Sequence, residues 1–237
     1  RTPTITLDRK RSFLLTALSW VMLCAFAALP LTLSEYRLPW ADAYFEAMSG
    51  LTTTGATVFS NLDTLPPSIN LWRGMMVWLG GMGLIVLAVA ILPLLGIGGR
   101  QMFKAEAPGP MKDSQLTPRM TETAKGLWVV YAAITVACVL SLKWAGMDWF
   151  DAVMHAFSTT GLGGFSSHDA SFGHWNSPAI EAVTIFFMLL AGINFATHFL
   201  AVHGRSLKPY RHDAEVGWYA VVTGGSVLGI ALYLWAM

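Results

Sequence analysis

Asp42-Ala43-Tyr44-Phe45-Glu46-Ala47-Met48-Ser49-Gly50-Leu51-Thr52-Thr53-Thr54-Gly55-Ala56-Thr57-Val58 lies between two long apolar runs and is too short and too polar to be a third. Its rhythm returns 109 residues later. Asp151-Ala152-Val153-Met154-His155-Ala156-Phe157-Ser158 repeats the pattern of residues 42–49, and the same step carries Gly55 onto Gly164. A short helix followed by a glycine-containing loop, used twice and each time inside a pair of apolar runs, is the pattern of a membrane pore entrance.

The composition agrees. Of 237 residues, 54% are hydrophobic and 12% charged, against about 25% charged in soluble domains. A membrane class follows, with lipid as the expected surroundings. The net charge of +1 provides no basic surface for a nucleic acid, and none is expected as a partner. Cys24 and Cys138 lie inside apolar runs without metal-ligand spacing, so they read as small apolar residues.

In chain order, residues 12–33 are long enough to span at a 1.5 Å rise per residue. The first short element covers 41–51 and its loop 52–58. A second span is expected over 71–95, with Gly80-Gly81-Met82-Gly83 inside it as a site of close helix approach or a local kink. A polar linker follows, in which Thr117-Pro118 should open the next helix as N-cap and first helical residue. The third span covers 127–142, the second short element 148–159, its loop 160–169, the fourth span 178–203 and a fifth span 216–237. The expected divisions are a first pore repeat 1–97, a cytoplasmic linker 98–126, a second pore repeat 127–203, and 204–237 as a linker with the start of a third. The fold class is all-α, a polytopic membrane protein of repeated span, pore helix, filter loop and span.

Orientation is read from Lys and Arg. Arg1, Arg9, Lys10 and Arg11, then Arg100, Lys104, Lys112, Arg119 and Lys125, then Arg205, Lys208 and Arg211 fall on one side of the alternating topology. Only Arg37, Arg73 and Lys143 fall elsewhere. The positive-inside rule makes the first side, with the N-terminus, cytoplasmic. Both copies then run in the same sense, as parallel repeats about an axis along the membrane normal do.

An 11-residue helix is about 16 Å long and cannot cross a bilayer. Non-helical backbone at membrane depth survives only where it is buried in protein or lines a watery cavity. Each short helix ends at its loop, so its C-terminal dipole, about half a negative charge, favours a cation there. The loops carry no Asp or Glu before Asp63 and Asp169. Backbone carbonyls and hydroxyls remain as ligands, which suits a monovalent cation better than a divalent one. Nothing in the loops calls for covalent chemistry, and no enzyme is expected.

Ser49-Gly50-Leu51-Thr52-Thr53-Thr54-Gly55-Ala56-Thr57 closely resembles the first filter of the Trk/Ktr/HKT potassium transporters, above all the TrkH branch. Gly163-Gly164-Phe165-Ser166 and His168-Asp169-Ala170-Ser171 resemble the second filter and its exit, and the linker and His203-Gly204-Arg205-Ser206-Leu207 are also similar. The resemblance implies potassium (K+) as the transported ion, with no organic cofactor. It implies that Gly55 and Gly164 are filter glycines, and that carbonyls of Thr53, Thr54, Ala56, Leu162, Gly163 and Phe165 line the site. It further implies location in the inner (plasma) membrane, a homodimer, a cytosolic nucleotide-binding regulatory ring, and four repeats in the parent chain. The third and fourth repeats are missing here. Arg1 at the start and the apolar run ending at Met237 also lead us to expect a piece of a longer chain. The alternatives are a sodium-conducting or potassium/sodium symporting relative, or a fragment that does not conduct by itself. Gly rather than Ser at position 55 favours potassium by the same resemblance.

Five of the six histidines (His155, His168, His174, His198, His203) fall on opposite sides and are not expected to form one metal site. Asn194 and His198 should share a helix face, either lining a pore or bonding between helices. Arg73 should snorkel at the start of its span. Asp42 and Asp151 should cap the short helices.

Overall fold

The computed structural model describes residues 9–83 and 119–237, and every regular element among them is helical. The elements are α1 (Arg9–Leu33), α2 (Trp40–Leu51), α3 (Pro67–Trp78), α4 (Arg119–Trp144), α5 (Trp149–Thr160), α6 (Pro178–Ala191), α7 (Phe195–His203), α8 (Lys208–His212) and α9 (Ala214–Ala236). The all-α class is therefore present, and in each half a long helix is followed by a 12-residue helix, a loop and a further helix. The rest of the second span beyond Gly83, and the Thr117-Pro118 helix start, lie outside the described residues.

Each half has its own core. In the first, Cys24, Ala28 and Leu31 of α1 meet Ala43 and Ala47 of α2, all fully buried, with Leu62 and Ile69 closing the far side. In the second, Cys138 and Leu142 of α4 meet Ala152 and Ala156 of α5, with Ile180 and Phe187 of α6. Ala43 and Ala47 are the repeat counterparts of Ala152 and Ala156. Alanine has no side chain beyond Cβ, so at both places it lets the short helix lie close against the preceding span.

The halves meet through α3. Val77 packs with Met154 of α5 and with Phe165. Beyond it, the Trp78 ring lies among Trp128, Tyr131 and Phe157 and donates its indole N–H to Thr135, while Tyr131 donates to the Trp78 carbonyl at 2.9 Å. The chain then makes a π-helical turn over Leu79–Gly83. Both expectations for this glycine run hold together. A Cβ on Gly80 would stand 2.0 Å from the Leu51 carbonyl oxygen, and one on Gly81 2.6 Å from the Gly161 Cα. The turn thus wedges between the C-terminal ends of the two short helices, where only bare backbone fits.

The fourth span differs from the single helix expected over 178–203. α6 and α7 meet at 87°. The break falls at Gly192-Ile193-Asn194, and the freed backbone groups are satisfied by side chains, as such breaks at membrane depth require. Asn194 caps α7 by accepting from the Ala196 N–H, and its amide donates to Glu215. His198 bonds the Leu190 carbonyl at 2.9 Å and the Tyr210 hydroxyl at 2.7 Å. The two polar residues bond between elements instead of sharing an uninterrupted helix face. α4 from Ala124 to Trp144 and all of α9 are long and apolar enough to cross a membrane, and α9 buries none of its apolar stretch.

Candidate functional site

The two loops leave their helices in the same way, bond for bond. After α2, Thr53 N–H donates to the Gly50 carbonyl and Thr54 N–H to that of Ser49, at 3.0 and 2.9 Å. After α5, Leu162 N–H donates to Thr159 and Gly163 N–H to Ser158, at 3.3 and 3.0 Å. This pair of bonds is a Schellman ending, which needs a left-handed residue just past the helix. Glycine usually fills that place. Here it is Thr53 at φ 56° and Leu162 at φ 57°, side chains for which left-handed backbone costs roughly 1–2 kcal/mol.

Two residues on, Gly55 and Gly164 are left-handed again, at φ 76° and 85°. A glycine bears that left-handed geometry without strain. The loops also touch. A Cβ on Gly55 would lie 1.6 Å from the Gly163 carbonyl oxygen, whereas one on Gly164 would meet nothing within 4 Å. Of the eight residues expected to form the site, Gly163 and Phe165 are buried. Thr54, Ala56, Leu162 and Gly164 are exposed, and Thr53 and Gly55 lie between.

Behind each loop stands a polar support, and here the halves part. In the first, Glu46 on α2 is fully buried and accepts from the Thr57 hydroxyl, the Val58 N–H and Arg73 Nε, at 2.8, 3.0 and 2.7 Å. Arg73 is fully buried too, which corrects the expectation that it snorkels to the interface. Its other nitrogens donate to Asn70, Thr57 and the Ser166 carbonyl of the second loop. Its guanidinium lies 4.4 Å from the Phe165 ring centroid, a stacking that a desolvated cation makes favourable. One cation therefore holds its own loop and the neighbouring one.

In the second half the counterpart of Glu46 is His155, fully buried. Its Nδ1 faces the Asp151 carbonyl at 2.9 Å, and so carries the proton. Its Nε2 accepts from the Ser166 hydroxyl at 3.0 Å. Ser166 in turn accepts from the His168 N–H, as Thr57 does from the Phe59 N–H. The bond pattern is conserved between halves while the charge is removed.

Beyond the loops the halves are clasped. Asp169 accepts from the Leu62 N–H and Asp63 from the Asp169 N–H, at 3.1 and 3.2 Å. His168 is held at both nitrogens, Nδ1 by Asp63 and Nε2 by Asp151 at 3.1 Å. Its partial burial opposes charge, but the bonds to Asp63 and Asp151 outweigh that and hold the imidazole above its ordinary pKa. The hydrogen bond from His168, then that from the Asp169 backbone, lowers Asp63. Capping falls to Asp148, which accepts from the Asp151 N–H at 2.7 Å. Asp151 accepts from Ser167 at 2.6 Å and faces His168, so it is a loop anchor and not the expected cap. α2 has no side-chain cap, and Asp42 stands in its first turn.

Sequence reasoning missed three features: the Glu46–Arg73 pair, the meeting of Asp63 with His168 and His174, and a matched pair of hydroxyls. Ser49 and Ser158, 109 residues apart, are the described residues whose buried side-chain oxygens have no hydrogen-bond partner. The Glu46–Arg73 signal was present, since ionisable residues at membrane depth pair with one another. Their 27-residue separation gave no local cue to the partner.

The model of the TrkH family, described as a cation transport protein, matches residues 1–236. The Trk system potassium uptake protein TrkH of Escherichia coli (strain K12) is 50% identical over 230 residues, covering 97% of this chain and 48% of that protein. The Trk system potassium uptake protein TrkG of the same organism is 39% identical over 232 residues, 98% of this chain and 48% of that one. Among solved structures, that of the potassium transporter TrkH from Vibrio parahaemolyticus superposes with a TM-score of 0.75 at 41% identity, over 96% of this chain and 45% of that one. The chain thus spans about half the length of the relatives it matches.

Proposed function

The chain belongs to the TrkH family of cation transport proteins, and on that premise we propose that it supplies two walls of a potassium-conducting filter in a longer membrane protein. The supporting observation is the direct contact of two loops of one backbone geometry, Gly55 against the Gly163 carbonyl, at the ends of two short helices. Carbonyls from Thr53 to Ala56 and from Leu162 to Phe165 would replace the water shell of a weakly hydrated cation. The helix C-termini contribute fractional negative charge. Among the described residues, the carboxylate bonded to the first loop is Glu46, and its pairing with Arg73 disfavours a divalent ion there.

Ion passage through such a filter makes and breaks no covalent bond. The parent protein is placed by this reading in the plasma membrane, N-terminus cytoplasmic, as a homodimer with two further repeats and a cytosolic nucleotide-binding ring. The names of the relatives, all potassium uptake proteins, support potassium over sodium. In the full-length parent, Gly55→Asp and Gly164→Asp should each abolish potassium uptake while membrane insertion is retained. Uptake at the unsubstituted level in both variants rejects the filter assignment.

A further inference from the structure

Where the first half leaves its loop, Asp63 sits on the tight turn Leu62–Thr64. Where the second half leaves its own, His168 ends the loop and His174 closes the turn Ser171–His174. The fold brings these three together from across 105 residues of chain. One ligand atom from each can be chosen so that all lie within 4.8 Å of one another. Asp63 Oδ1 is bonded to His168 Nδ1 and stands 4.0 Å from His174 Nδ1. The two imidazoles stack 3.6 Å apart at 9°. Asp63 and His174 are exposed, so an ion in solution can reach the cluster.

We propose that Asp63, His168 and His174 form a binding site for a divalent transition metal of the zinc class, which joins the outer segments of the two halves. Two imidazoles and one carboxylate, with a fourth position open to water, is the donor set of an open tetrahedral zinc site. Imidazole nitrogens select such a metal over calcium or magnesium, which take oxygen ligands. Two ligands at ~2.0–2.1 Å from a tetrahedral centre lie about 3.4 Å apart. The His174–Asp63 separation of 4.0 Å therefore closes by roughly half an ångström, with the exposed His174 ring turning out of the stack, while the hydrogen-bonded His168 Nδ1 and Asp63 Oδ1 move apart to the same spacing. The metal takes the place of the proton that now lies between His168 Nδ1 and Asp63.

A second observation concerns the group behind one of the ligands. His168 presents its remaining nitrogen, Nε2, to the Asp151 carboxylate at 3.1 Å. Asp151 is itself fixed by the Ser167 hydroxyl at 2.6 Å. A carboxylate behind the far nitrogen fixes the tautomer and aim of a metal-binding histidine. The Trp175 ring stands edge-on to both imidazoles, at 5.1 and 5.0 Å, an apolar wall on one side. With His168 and His174 neutral, Asp63 and Asp151 bring two negative charges to match a divalent cation.

The test is a zinc titration of the full-length parent protein in detergent, competed against a chromophoric chelator, with cobalt as a spectroscopic substitute. Expected are one zinc bound per chain at this site and cobalt absorption of tetrahedral intensity. His174→Ala and Asp63→Asn should each weaken binding by at least the ~10–100-fold that loss of an outer-shell partner costs, and Asp151→Asn by about that range. His174→Ala keeps the Asp63–His168–Asp151 chain and so decides the matter even where Asp63→Asn does not fold. No zinc bound by the unsubstituted protein, or affinity unchanged in His174→Ala, overturns the proposal.

Discussion

Two loops of one backbone are held up by unlike supports. Behind the first, a carboxylate and a guanidinium are buried together, Glu46 and Arg73 at 2.7 Å. Behind the second, a neutral imidazole makes the matching bonds, His155 to Ser166. The difference follows from position. Arg73 stands on α3, the helix between the halves, and it donates to the second loop at Ser166 as well as binding Glu46 and Thr57 in its own half. Four acceptors, Glu46 and Asn70 on helices and Thr57 and Ser166 in the two loops, converge on one donor group, and only a guanidinium has enough N–H groups in a rigid fork to serve them. The second loop already receives that cation from outside, so its own support needs no charge.

The largest effect should come from removing one charge of the first support. Glu46→Gln leaves Arg73 buried without its anion, and loss of one partner of a buried pair costs about 3–5 kcal/mol. Thermal unfolding of the detergent-solubilised parent should fall accordingly. Adding Arg73→Met should recover part of that loss, because no uncompensated charge then remains. A double variant as unstable as the sum of the two single ones would show that the pair does not act as a unit.

A smaller contrast separates the glycines. Gly164→Ala meets open space and carries only the left-handed strain of roughly 1–2 kcal/mol. Gly55→Ala carries the same strain and also drives a methyl into the Gly163 carbonyl, 1.6 Å away. Potassium uptake should therefore fall further in Gly55→Ala than in Gly164→Ala. Equal losses would mean that the contact between loops does not matter. The smallest effect is expected where the halves agree most closely. Ser49→Ala and Ser158→Ala each delete a buried hydroxyl that has no partner. Removing an unsatisfied polar group is nearly neutral or stabilising, so neither variant should be less stable. A loss in either would reveal a partner for that hydroxyl in the complete protein.

Much of the site was legible because it is local. Gly55 and Gly164 were marked by their place after a short helix and by the 109-residue step, and both adopt the positive φ that glycine permits. The left-handed Thr53 and Leu162 were not legible, since nothing in a threonine or a leucine announces that backbone. The fourth span reads as a single apolar run, yet it bends by 87°. Its sequence does hold Gly192 and Asn194, but at the bend His198 takes up the Leu190 carbonyl and Asn194 the Ala196 N–H, while Tyr210, Asp213 and Glu215 hold the side chains of His198, Thr197 and Asn194. Five histidines read as scattered over two sides, but two of them share an aspartate from the other half.

The helical class, the membrane setting, the repeated pattern and the glycines of the loops can all be read along the chain. Each rests on hydrophobicity, length or spacing, quantities that belong to the chain before it folds. Packing in three dimensions is what buries Arg73 against Glu46 and Phe165, lays Gly80 and Gly81 against the ends of both short helices, and brings Asp63 to His168 and His174. Those depend on which surfaces face each other once α3 is wedged between the halves. Partner choice among buried charges is set by that packing, because in a low-dielectric interior a charge must find its counter-charge in space, however far away it lies in sequence.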